Sequence, residues 1–124
     1  MNDTLDVLRY WLPEWEAEHR FYPSESGELP TIRWGRNYVK PGEDQECDDL
    51  LCAELRRRYL ERGPTSWLRV TYYFDGDVAV QGVVCADGKN HALLDDDTRR
   101  DTELLATIAA GRKLREALEP GEGT

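Results

Sequence analysis

Three consecutive aspartates, Asp95, Asp96 and Asp97, stand in the stretch HALLDDDTRRDTELL, the densest run of chemically capable side chains in the chain. Carboxylates in such a run can hold a hard cation, present a negative docking surface, or start a helix. A Mg²⁺ or Ca²⁺ ion needs oxygen ligands from several directions. Successive side chains diverge, so an ion here would need help from Asp75, Asp77 or Asp87. The calcium-loop spacing D-x-D-x-D-G is absent. Helix initiation explains the run more directly. Asp97 or Thr98 would cap the free amides of a helix expected over 98–118, and the remaining acids suit its positive end. What capping leaves over is expected to form one edge of an acidic docking surface (Asp95, Asp96, Asp97). A second edge is expected at Glu43, Asp44, Glu46, Asp48 and Asp49.

Other candidate chemistries have less support. Asp87-Gly88-Lys89 has the acid-x-Lys spacing of a restriction-type nuclease half-site, with Asp77 as a possible earlier acid. The two aspartates fall at opposite ends of one expected strand, about 33 Å apart if it is straight. Glu16 and His19 have the i, i+3 spacing of di-metal helical bundles, but such a bundle needs two copies and this chain has one. The three cysteines, Cys47, Cys52 and Cys85, are an odd number with no secretory leader before them. Cys47 and Cys52 would lie about 140° apart around a helix, too far to pair or share a metal. Cys85 and His91 face each other across a turn, yet their side chains are expected on opposite faces. There is no P-loop, dinucleotide fingerprint or nucleophile elbow. No catalytic residue, metal ligand or cofactor is therefore assigned.

The elements that must carry these residues follow from periodicity. Leu5, Leu8, Leu12 and Trp15 predict a helix over 3–12 capped by Asn2 or Asp3. Pro13 kinks it or opens a second short helix, 13–20. Residues 22–30 read as a loop. Ile32, Trp34, Arg36 and Tyr38 alternate as one strand over 31–39. Cys47, Leu51, Leu55 and Tyr59, with Leu50 beside them, predict a helix over 43–62, acidic at its start and basic at its end. Asp75-Gly76 and Asp87-Gly88 then punctuate a three-stranded meander, 66–74, 77–86 and 90–94. A two-residue first turn would pair Tyr72 with Ala79, Val70 with Gln81 and Leu68 with Val83. Those residues, with Phe74 and Cys85, would form the core face. Trp67, Arg69, Thr71, Tyr73, Val78, Val80 and Val84 would form the other. The last helix would bury Leu104, Ile108, Gly111, Leu114 and Leu118. The expected fold is α+β: a small mostly antiparallel sheet, the meander plus one earlier strand, packed with about three helices. It forms a single domain over 1–119, followed by a flexible tail at 120–124.

The 124 residues suit one domain, and 40% apolar residues with four Trp supply a core. No apolar run approaches the roughly 20 residues of a membrane span. The N-terminus lacks a basic, apolar leader, so a cytoplasmic protein is expected. The net charge of −9 disfavours direct nucleic-acid binding and suits a basic protein partner. Arginine outnumbers lysine 13 to 3, an association with GC-rich microbial or phage genomes. The expectation is a small acidic non-enzymatic module. It would act by stoichiometric contact with a basic or nucleic-acid-handling protein, in the manner of an immunity protein, antitoxin or phage anti-defence inhibitor. Trp67, Arg69 and Tyr73 are added to its partner-binding residues, because aromatic-plus-arginine groups make interaction hot spots. That face could also be covered by the first helix or the early strand, or form a homodimer. The alternative is a small enzyme or ligand-binding domain with a pocket lined by Trp34, Tyr38, Trp67, Tyr72, Tyr73 and His91.

Overall fold

The computed structural model describes residues 3–15, 32–34, 37–39, 45–63, 65–86 and 88–119. Helix α1 spans Asp3–Trp11 and buries Val7, Leu8, Trp11 and Leu12, a stripe one turn apart. Pro13 then opens a single 3-10 turn, Pro13–Trp15, where its fixed φ is acceptable. The single strand expected over 31–39 is instead a hairpin. β1 (Ile32–Trp34) and β2 (Asn37–Val39) pair antiparallel with each other, Ile32 opposite Val39. The chain reverses between Trp34 and Asn37. This hairpin is separate from the main sheet, which therefore gains no fourth strand from it.

Helix α2 spans Gln45–Leu60 and buries Leu51, Leu55 and Tyr59, with Cys47 packed at the margin. Cys52 joins that stripe, whereas Leu50 points outward at 49% exposure. Strands β3 (Trp67–Tyr72), β4 (Val78–Ala86) and β5 (Lys89–Leu93) form the antiparallel meander in the order β3-β4-β5. The second turn has the expected two residues, since Ala86 pairs with Lys89. The first does not. Tyr73 and Asp77 close a three-residue loop: the Tyr73 amide donates to the Asp77 carbonyl at 2.8 Å, and the Gly76 amide donates to the Tyr73 carbonyl at 3.0 Å. Gly76 has a φ of 92°, the left-handed position that follows a type I turn in such loops. The extra residue moves the register by one. Tyr72 pairs with Val78, Val70 with Val80, Arg69 with Gln81 and Trp67 with Val83.

A one-residue slip inverts a strand's faces. Val78, Val80 and Val84, expected on the outer face, are therefore core. Gln81, Val83 and Cys85 move to the outer face, and Phe74 is exposed in the turn. Residues 66–86 carried a signal for this outcome: the observed register spares Gln81 from burial in an apolar core, which an unpaired amide resists.

The single last helix expected over 98–118 is two. α3 is one turn, Asp95–Thr98, and α4 spans Glu103–Leu118. Between them Arg100 bridges Val78, and this bridge is what interrupts the helix. β5 ends at Leu93, so Val78 and Val80 of the central strand have no strand neighbour on that side. Arg100 supplies the missing partner to Val78 through backbone bonds of 2.7 and 2.9 Å. The fully buried Thr98 hydroxyl does the same for Val80, donating to its carbonyl at 2.7 Å and accepting from its amide at 2.9 Å. Thr102, not Asp97 or Thr98, caps α4 by accepting from the Leu105 amide at 3.1 Å.

α4 is the centre of the packing. It lies on β4 and β5 on one side and meets α1 and α2 on the other. Residues Leu104, Ala106, Thr107, Ile108, Ala109, Ala110, Gly111 and Leu114 are all buried. The small residues let α1 and α2 approach closely. The buried Tyr59 hydroxyl donates to the Thr107 carbonyl at 2.8 Å, and Trp11 Nε1 donates to the Gly111 carbonyl at 3.0 Å. Tyr59 and Trp11 also meet edge-on with ring centroids 4.6 Å apart. Each fully buried Leu or Ile contributes about 2 kcal/mol. Exposed ion pairs such as Arg57 with Glu54 and Glu61 are screened by water and contribute little. Burial, not charge pairing, therefore holds α2 in place. Among the described residues no helix is long and apolar enough to cross a membrane.

Candidate functional site

The helices cover one face of the three-stranded sheet. On the other face the register lays side chains out in rows. Trp67, Val83 and Ala92 form one row across β3, β4 and β5. Arg69 and Gln81 form the next, with Leu94 just beyond the end of β5. These residues, with Gly82, Leu93, Asp95 and Asp96, line an open cleft of about 460 Å³. Trp67 is 51% exposed and Leu94 64%, so two large apolar side chains stand in solvent side by side with the cleft.

A polar network borders that apolar row. The Gln81 carboxamide oxygen accepts from Arg69 at 3.0 Å and from the Thr71 hydroxyl at 2.9 Å. Its nitrogen donates to Asp95 Oδ1 at 3.1 Å. The same carboxylate oxygen accepts from the Tyr73 hydroxyl. The Arg99 guanidinium lies 4.0 Å from the centre of the Tyr73 ring and donates to Asp77 at 3.0 Å and Asp75 at 2.8 Å. Asp75 is held below the usual carboxylate range by the Asp77 amide and then by Arg99. The cation that Asp75 and Asp77 serve is thus an arginine. Among the described residues no three His, Cys, Asp or Glu side chains converge as a metal set.

The aspartate run divides by role. Asp95 is committed to Tyr73 and Gln81. Asp97 accepts from the Leu94 amide at 3.1 Å, which caps α3, and lies 3.6 Å from Lys113. Asp96 is exposed on the rim of the cleft. Of the other expected acids, Glu43 and Asp44 lie outside the described residues. Glu46 and Asp49 are exposed on the first turns of α2, and Asp48 is half-buried. Asp49 accepts from Gln45 at 2.8 Å.

Trp67 and Arg69 share the cleft, while Tyr73 belongs to the network beside it. Tyr72 faces the helix side, where its hydroxyl donates to Glu103 at 2.6 Å, and that carboxylate raises its pKa. His91, paired with Val84, also falls on the helix side. The described members of the aromatic-pocket set are therefore divided between the two faces of the sheet. The side chains of Trp34 and Tyr38, and the Glu16/His19 pair, lie outside what is described. Cys85 pairs with Asn90, with Sγ 3.0 Å from Oδ1, and so faces away from His91 as expected. Burial pushes the Cys52 thiol up to about 11, which keeps it protonated and unreactive near neutral pH.

Sequence reasoning missed Gln81, Val83, Ala92 and Leu94 as surface residues. Valine, alanine and leucine read as core by type, and only the register turns Val83 and Ala92 outward. No family model, curated protein or solved structure matches the chain.

Proposed function

We propose that the chain is a small non-enzymatic binding protein that acts by stoichiometric contact with another protein through the open face of its sheet. The observation that carries this reading is the cleft. Trp67, Val83, Ala92 and Leu94 present apolar surface beside a side-chain hydrogen-bond network centred on Gln81. An aromatic anchor with an arginine beside it and a charged rim is the composition of interface hot spots. The partner would bring an apolar side chain for the cleft and a basic group for Asp96. Glu46 and Asp49 on α2, in a chain of net charge −9, favour a partner with a basic surface and speed its approach. An immunity protein, an antitoxin or a phage anti-defence inhibitor works by such contact, and a cytoplasmic setting suits it.

Affinity capture from the native host, wild type beside Trp67→Glu, tests the reading. A protein retained by the wild type and lost by Trp67→Glu is expected. Retention of the same proteins by both would sink the sheet face as the interface.

A further inference from the structure

The open face carries charges of both signs, Arg69 and Asp96. Arg69 stands on β3, one outer strand of the sheet, and among the described residues its side chain bonds to the neutral Gln81. Asp96 stands beyond β5, the other outer strand, and also rims the cleft. Among the described residues neither is paired with an opposite charge, and the apolar row lies between them. An interface with a two-fold axis must be self-complementary, each residue meeting its counterpart's partner. We infer that a second copy of this chain occupies the open face, with the two-fold axis running along β4, so that Arg69 of each copy meets Asp96 of the other.

This rests on the reading of the face as an interface and names its occupant in the absence of the hetero-partner. Rotation about β4 lays β3 of one copy over β5 of the other. Trp67 then packs over the other copy's Ala92 and Leu94. The outer strands are only about 10 Å apart, so the buried area falls at the small end for specific interfaces. A concentration-dependent dimer with a Kd of about 10 to 100 µM is expected. The hetero-partner would compete with the second copy.

Sedimentation equilibrium over a concentration series tests it. Asp96→Arg and Arg69→Asp, each alone, place like charges opposite each other and should weaken self-association by about tenfold or more. An equimolar mixture of the two variants restores both contacts and should form a heterodimer as tight as the wild-type dimer. That outcome also shows that both variants are folded. A wild type monomeric up to about 1 mM overturns the proposal. So does a dimer indifferent to Asp96→Arg, or a mixture no tighter than its components. In any of these cases, loss of a captured protein from Trp67→Glu still judges the face as a hetero-interface separately.

Discussion

Thr98 shows how much a single hydroxyl can decide. It gives the central strand both hydrogen bonds that β5 is too short to supply. Thr98→Val keeps the shape and removes both, leaving a buried amide and a buried carbonyl unpaired. A loss of about 3 kcal/mol is expected in urea unfolding, because each orphaned group costs about 1–2 kcal/mol. Thr98→Ser should recover most of it. Cys52 sets a pH dependence. Its thiol ordinarily titrates at 9.0 and is pushed up to about 11 by burial. Between those values the unfolded chain loses a proton that the folded chain keeps. Its contribution is therefore complete below pH 9 and is lost as pH rises toward 11. The buried Tyr59 hydroxyl, also raised by desolvation, acts in the same direction at higher pH. Unfolding midpoints measured from pH 8 to 11 should fall, and the fall should be shallower in Cys52→Ala.

Among the elements, α4 is the one whose sequence understates its role. Leu104, Ile108 and Leu114 mark an apolar stripe against the sheet, and that stripe is legible by spacing. Thr107, Ala110 and Gly111 are buried beside that stripe, and of these only Gly111 was part of the expected pattern. Their small size is what admits Tyr59 and Trp11. A Cβ on Gly111 would lie 2.3 Å from the Tyr59 hydroxyl oxygen and 3.1 Å from Trp11 Nε1. Both groups are buried and hydrogen-bonded to α4, so neither can retreat without losing its bond. Gly111→Ala, favourable by helix propensity, should instead lower stability by about 2 kcal/mol, and thermal unfolding is the measurement. The meander shows the converse. Its existence and strand order follow from two Asp-Gly turns, but its register follows from loop length, and Asp75-Gly76 serves a three-residue loop as readily as a two-residue one. The helix expected from residue 98 begins at 103 because the backbone of Arg100 is needed as a partner for Val78.

For the whole molecule, the proposed interface and the core lie on different faces of the sheet. The core lies on the helix side of the sheet, and the proposed interface lies on the other. Trp67→Glu should therefore shift the midpoint of unfolding by no more than about 0.5 kcal/mol while it removes the partner and weakens self-association. A large loss of stability in that variant would mean that Trp67 serves the fold instead. Trp67 and Arg69 were legible as candidate interface residues because aromatic and arginine side chains are enriched in hot spots. Leu94 and Ala92 were not, since they earn their exposure only from where β5 ends and which way it pairs.

Composition and periodicity alone determined the α+β class, the meander, α2 and the apolar stripe of α4. Each of these depends on spacing along a single element, and short-range sterics and hydrophobic period act there without reference to the rest of the chain. The fate of Asp95, Asp96 and Asp97 was decided only in three dimensions. One carboxylate braces the sheet through Tyr73 and Gln81, one caps a single turn, and one is left on the rim of the cleft. Those roles depend on partners 14 or more residues away in sequence for Asp95 and on a one-residue change of register. A local pattern carries no information about either.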